Sequence, residues 1–398
     1  MKNNSQGSPV EVFAAFLKLG LTSFGGPVAH LAYFRKELVE RRSWVSENQF
    51  SQLLAICQFL PGPASSQLGF SLGLARAGWL GALAAFIAFT LPSALLLIGF
   101  ASLLPALSSP IGEAAIHGLK IVAFAVVADA VLGMSKKLCP DIQRATIAIL
   151  SAGVLLVVGN AWIQLLVVMG GAVAGIYICK GAATELAAQI PIHYGRRLGS
   201  VLLLLFFGLL AGLPLFSSQN VSLISMADAF YRAGALVFGG GHVVLPLLQD
   251  AVVSSGWITS ETFLAGYGAS QAIPGPMFAF SAYLGAVTPT GHNELVGASI
   301  ALLFMFIPGF LLVAGILPFW RSISHNTAVS NAVAGVNAAV VGLLAAALYD
   351  PIFTSAIHSA VDLVIGMIGF AMLAVWRLSA IAVVVWSVTA SVLFTLVT

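Results

Sequence analysis

The feature that most limits this chain is a succession of apolar runs, each about as long as a bilayer is thick. A helix needs about 20 mostly apolar residues to cross a membrane. Runs near that length occupy Trp79–Leu103, Gly112–Met134, Thr146–Gly159, Trp162–Cys179, Leu198–Leu215, Leu295–Leu317, Ala328–Leu348, Ala356–Trp376 and Ala380–Val397. Of the 398 residues, 59% are hydrophobic and 8% charged, against roughly 25% charged in a soluble domain. That balance excludes a water-soluble enzyme and predicts an all-α polytopic membrane protein. Residues 1–10 read as a polar tail without the apolar stretch of a signal peptide. No basic run with interleaved aromatics points to nucleic acid. Cys57, Cys139 and Cys179 lack disulfide or zinc spacing, so no metal and no cofactor is implied.

Four further apolar segments are interrupted. Glu11–Glu40 breaks at Phe24-Gly25-Gly26-Pro27 and Ser46–Leu74 at Pro61-Gly62-Pro63. Ala227–Gln249 breaks at Phe238-Gly239-Gly240-Gly241 and Thr259–Ala286 at Pro274-Gly275-Pro276. Proline removes a donor and glycine frees the backbone, so a continuous helix is not expected through these points. Broken backbone at membrane depth is tolerated where it is buried in protein or lines a polar cavity.

The breaks recur at a nearly constant spacing. Gly20, Phe24, Gly25 and Gly26 match Gly234, Phe238, Gly239 and Gly240; Trp44, Phe50 and Gln58 match Trp257, Phe263 and Gln271; one PGP matches the other, and Pro92 matches Pro308. The chain is therefore read as a tandem repeat: a first unit over 11–180, a connector with one spanning helix over 181–222, and a second unit over 223–398. Charge placement predicts that the units are inverted. Short loops rich in Lys and Arg stay cytoplasmic. Arg35, Lys36, Arg41 and Arg42 follow the first break, whereas the matching stretch QDAVVSSG has no basic residue. With residues 35–42 and the N-terminus inside, Arg76, Lys136, Lys137, Arg144, Lys180, Arg196, Arg197, Arg321 and Arg377 also fall inside, provided each broken segment enters and leaves on one side. Full crossing by the broken segments is the alternative.

Inverted-repeat transporters bind substrate where discontinuous helices meet near the midplane. The expected binding residues are therefore Gly25, Gly26, Pro27 and His30 at the first break, and Gln58, Pro61, Gly62, Pro63 and Ser65 at the second. In the other unit they are Gly239, Gly240 and His242, then Gln271, Pro274, Gly275 and Pro276. Ser66, Gln67 and Ser270 are further neutral donors beside the PGP breaks. Half-helix N-termini attract anions, but the preceding half-helix brings its negative end to the same tip, so dipoles alone do not fix the sign. Lys120 lies inside an apolar run, and charge there is functional by default. Lys18 and Arg232 hold matching places and either bind substrate or reach to the interface. Asp129 is a proton carrier or a partner for a lysine. His30 and His242 are packed hydrogen-bonding groups or titrate in proton coupling. Glu37, Glu40 and Glu47 are expected on a solvated interfacial face. No HExxH, GxSxG or GxxxxGK[ST] signature is present, which argues against an intramembrane enzyme or direct ATP coupling.

FGGPVAH, Trp44 and QFLPGP, followed by FGGG, Trp257 and QAIPGP, resemble the chromate ion transporter superfamily in its long, two-domain form, over nearly the whole chain. The resemblance implies efflux of chromate, a tetrahedral dianion similar to sulfate, across the bacterial inner membrane, driven by the proton motive force. Protons, lipid and a small oxyanion are then the partners, and a homodimer is left open. Sulfate or another anion as cargo, or an anion channel, are the alternatives.

Overall fold

In a computed structural model, residues 7–24, 26–107, 109–158, 161–179, 194–217, 221–238, 244–320 and 326–397 are described. Regular structure among them is entirely helical. The first half contains α1 (Pro9–Thr22), α2 (Gly26–Phe34), α3 (Glu47–Phe59), α4 (Ala64–Leu103), α5 (Pro110–Leu138), α6 (Ile142–Val158) and α7 (Ala161–Ile178). After α8 (Arg196–Phe216), the second half contains α9 (Leu223–Leu236), α10 (Val244–Gln249), α11 (Ser260–Ser270), α12 (Phe280–Val287), α13 (Glu294–Ile316), α14 (Thr327–Ala347), α15 (Ala360–Ala374) and α16 (Ala380–Val397).

Three of the four expected breaks interrupt the helices; at the other, α9 ends at Leu236, and Gly239–Gly241 lie outside the described residues. The same order of elements follows in each half, down to a π-helical extension after the first break: Arg35–Arg41 behind α2 and Asp250–Ser254 behind α10. Local signals set the helix starts. Ser46 and Gln49 form a capping box at α3, and Thr259 caps α11 at the matching place. Within α4 the helix is broken at Ala77 and Gly78, the latter at φ +64°. This separates a half-helix, 64–76, from a long span, 79–103, where the second half has α12, a loop and α13.

Each of the nine expected runs is helical. Six helices among the described residues are long and apolar enough to cross a membrane. The other three, α6, α7 and α15, are apolar but shorter. α15 starts at Ala360 rather than Ala356, because Ile357 is extended and Ser359 pairs with Asp362 in a capping box. Leu80, Leu83, Leu95, Ile149, Leu150, Leu204 and Leu215 are exposed. So large an apolar surface fits lipid rather than water.

The halves are interwoven. α14 packs on α6 and α7 of the first half, and α5 packs on α15 and α16 of the second. Close glycine approaches recur as well. A Cβ on Gly73 would meet the Gly81 carbonyl, and one on Gly285 would meet that of Gly297. In both halves, the half-helix after PGP lies tight against the next span.

The crossing of the four breaks

At the first PGP, Gly62 adopts φ +122°, and at the second, Gly275 adopts φ +99°. Both conformations favour glycine. They aim two amides across the molecule: Gly62 N–H donates to the Val237 carbonyl at 2.7 Å, and Gly275 N–H donates to the Ser23 carbonyl at 2.9 Å. Ser23 and Val237 hold matching places, each directly before an FGG break. Each PGP tip thus crosses the FGG break of the opposite half, and the two crossings are related by a pseudo-two-fold exchange.

Around the crossings, side chains donate to nearby main-chain carbonyls. Gln67 Nε2 donates to the carbonyls of Pro61 at 2.9 Å and Gly309 at 3.0 Å, and Ser93 Oγ donates to that of Pro274 at 2.8 Å. Space is tight. A Cβ on Gly62 would stand 2.7 Å from Gln67 Nε2, and one on Gly275 would collide with Ser93 Oγ.

Several polar atoms here have no hydrogen-bond partner among the described residues: Ser23 Oγ, both His30 ring nitrogens, Ser66 Oγ, Gln67 Oε1 and Thr90 Oγ1. Ser23, His30 and Gln67 are fully buried, and Ser66 and Thr90 nearly so. His30 packs edge-on against Phe89 at 5.4 Å. The Ser23 main chain is near enough to act on the ring, without meeting hydrogen-bond geometry. Buried polar groups are almost always satisfied, so this concentration marks a place suited to a polar ligand. Its hydroxyl and imidazole groups are the kind that donate to oxyanion oxygens, whereas Gln67 Oε1 can only accept.

The expected site residues divide clearly. Pro61, Gly62, Pro63, Ser65, Pro274, Gly275 and Pro276 lie at or beside the crossings, and His30 lies beside the first. Gly26 and Pro27 open α2. Gly25, Gly239, Gly240 and His242 lie outside the described residues. Gln58 is exposed on α3, while Gln271 Nε2 turns back to Ser270 Oγ at 3.2 Å. Lys120 is buried within α5. It has no ion-pair partner among the described residues, the carboxylates of Glu261 and Asp362 being the charges that act on it. Asp129 is half-buried on α5. Lys18 and Arg232 are half-exposed and paired, with Glu37 at 3.4 Å and Asp228 at 2.7 Å.

Glu37 corrects one expectation. Its carboxylate is buried, not solvated, and gathers Lys18, Arg41 at 2.8 Å and Arg42 at 2.9 Å. The π-helical turn brings Arg41 and Arg42 back over it. Glu40 and Glu47 are exposed, as expected, and pair with Arg35. Ser23, Thr90 and Ser93 were missed by motif reading. Their signal was polarity inside apolar surroundings: one directly before FGG, two flanking Pro92. His117 and Asp362, joined at 2.9 Å between α5 and α15, were missed because nothing in the sequence pairs them.

A family model described as chromate transporter matches residues 10–176 and 224–393, one match for each half. The chain is similar to a probable chromate transport protein of Synechococcus elongatus, with 30% identity over 91% of this chain and 88% of the relative. It is 28% identical to a chromate transport protein of Pseudomonas aeruginosa, over 85% of this chain and 80% of that protein. An uncharacterized transporter of Methanocaldococcus jannaschii is 26% identical, over 87% and 85% respectively. No solved structure matches. With both halves matched and the breaks joined by reciprocal hydrogen bonds, the chain belongs to the chromate transporter family.

Proposed function

We propose that this protein exports chromate across the bacterial inner membrane by alternating access of two inverted repeats around the crossed breaks. The observation that carries this reading is the reciprocal pair of bonds, Gly62 to Val237 and Gly275 to Ser23. Every broken segment thereby meets a broken segment of the other half, PGP against FGG, and sliding one repeat against the other changes all four tips together.

Inversion is supported by what meets at each end of the span 79–103. At its start, Glu11 accepts from Trp44 Nε1 at 2.9 Å and from Arg76 at 3.1 Å. The beginning of α1, the link between the two hairpins and the end of the second hairpin therefore share one side. At the other end, Ser102 Oγ bonds to Glu294 at 3.2 Å, where the second repeat leaves its own hairpins. The half-helices agree: α3 has 13 residues, roughly 20 Å, against a core of about 30 Å. The basic residues around the first base favour its lying, with the N-terminus, on the cytoplasmic side.

Charge favours the outward direction. A membrane potential is worth about 2.3 kcal/mol per charge per 100 mV, so an inside-negative potential drives a dianion out with about twice that. The voltage component of the proton motive force alone can sustain export. Sulfate is the second reading, since it shares chromate's shape and charge. Labelled chromate and sulfate offered to everted vesicles test both. Accumulation that collapses when the voltage is shunted supports the reading; flux indifferent to voltage and to a pH gradient overturns it.

A further inference from the structure

The two crossings are equivalent in backbone but differ in the polar groups they offer. Where the first FGG break meets the second PGP, the first repeat supplies Ser23, His30, Thr90 and Ser93. Their matching residues at the other crossing are Val237, Val244, Phe306 and Gly309. Ser23 and Val237, like Thr90 and Phe306, are all at most 1% exposed, so differing access to solvent does not explain the difference. At that other crossing the polar groups come from the PGP side instead: Gln67 Nε2 is committed to the Pro61 and Gly309 carbonyls, which leaves the Ser66 hydroxyl and a Gln67 Oε1 that can only accept; their matches beside the second PGP, Ala279 and Phe280, are apolar. Phe280 stacks among Phe263, Tyr267 and Tyr283, so that half-helix is packed into an aromatic cluster and offers no donor at this place.

We infer that the transported oxyanion sits off the pseudo-two-fold axis, at the crossing of the first FGG break with the second PGP, held by Ser23 and Thr90 hydroxyls beside His30. This rests on the transport reading above and adds a location and ligands to it. Ser93 is already committed to the Pro274 carbonyl and belongs to the wall. Ser23 Oγ and Thr90 Oγ1 have no such commitment. Ser23 also lends its carbonyl to Gly275, so a ligand on its hydroxyl would couple directly to the bond that ties the two repeats. The crossing at Val237, where the Gln67 amide nitrogen is already committed to two carbonyls, then works as a hinge.

The opposing role is a structural one for the hydroxyls, and stability separates the two. An unpartnered buried hydroxyl costs free energy in the empty protein, so Thr90→Val, of nearly equal size, raises melting temperature in detergent while it harms transport. A structural hydroxyl would give the reverse sign for stability.

The experiment measures chromate uptake into everted vesicles for wild type, Ser23→Ala, Thr90→Val, Thr90→Ser and the counterpart Val237→Ala, with membrane levels read by immunodetection. Ser23→Ala and Thr90→Val are expected to raise KM about ten-fold or more, the scale of one lost hydrogen bond to a charged group. Thr90→Ser, which keeps the hydroxyl, is expected to restore most of the affinity that Thr90→Val loses, and Val237→Ala is expected within two-fold of wild type. Should Thr90→Val fail to insert, Ser23→Ala decides, since it deletes a single oxygen. Unchanged KM in the inserted variants, or an equal effect of Val237→Ala, overturns the location. Wild-type vesicles that carry sulfate in place of chromate are read with sulfate in the same way. Wild-type vesicles that carry neither anion overturn the transport reading itself, and the location with it.

Discussion

The bases of the two repeats differ far more than their tips. At the first base, Glu37 holds Lys18, Arg41 and Arg42, Arg35 holds Glu40 and Glu47, and Glu11 holds Trp44 and Arg76. In the second repeat the residue matching Glu37 is Ala251 and the one matching Glu11 is Ser225. Of the charge pattern only Arg232 with Asp228 remains, and Trp257 Nε1 is buried without a partner among the described residues. The tips, by contrast, share PGP, positive φ and the cross-repeat bond. Backbone breaks are what the shared geometry requires, so they persist in both copies. In the proposed inverted arrangement the two bases face opposite sides of the membrane, which would account for the divergence of their charges.

The sharpest way to break this comparison is at the tips. Gly62→Val and Gly275→Val each force a branched side chain into a positive-φ position against Gln67 or Ser93. Both are expected to abolish chromate flux while the protein still inserts. A variant at one tip that transports normally would show that the two are not equivalent. Next comes the sidedness of the bases. With Cys57, Cys139 and Cys179 replaced by serine, Glu40→Cys and Ser255→Cys place single thiols at exposed positions. They are expected to react with an impermeant reagent from opposite sides of intact cells, and same-side labelling would end the inverted arrangement.

Smaller effects sharpen the charge half. Glu37→Gln leaves three cations without their shared partner. It is expected to cost roughly 1–3 kcal/mol, discounted because those cations are largely solvated, and to lower the detergent melting temperature by a few degrees. Burial raises the Glu37 carboxyl, but Arg42, Lys18 and Arg41 outweigh it and hold the group below the usual carboxylate range. A carboxylate depressed on folding contributes fully above its ordinary pKa, and the contribution fades as pH falls through the lowered native value. The wild type is therefore expected to lose stability on the acid side more steeply than Glu37→Gln, seen in melting temperature against pH. The smallest effect is expected for Arg35→Ala, at an exposed and solvent-screened pair, with the detergent melting temperature unchanged within error; a clear loss would mean that this surface pair also holds the base.

Much of this architecture was legible in the sequence. Apolar length fixed the spans, and Gly and Pro marked the breaks, because those residue types act locally on the backbone. What joins to what was not legible. That Gly62 reaches Val237, or that His117 reaches Asp362, depends on packing between segments far apart in the chain. Glu37 was misread because its acidic, basic-flanked sequence looks solvated until a π-helical turn folds the arginines over it. The matched cations Lys18 and Arg232 drew attention as charge inside apolar segments, yet each is neutralised within its own repeat. Ser23 and Thr90 were the reverse case, ordinary residue types whose surroundings alone single them out.

The exchange of helices between the halves has a consequence for how the protein is made. α5 finds its neighbours in α15 and α16, which leave the ribosome more than two hundred residues later. Until then its inner face, with Lys120 and His117, has to wait in the bilayer without its partners. The first half therefore cannot complete its folding on its own during synthesis, and its assembly is gated by insertion of residues 380–397. α16 therefore closes the first repeat as well as the second.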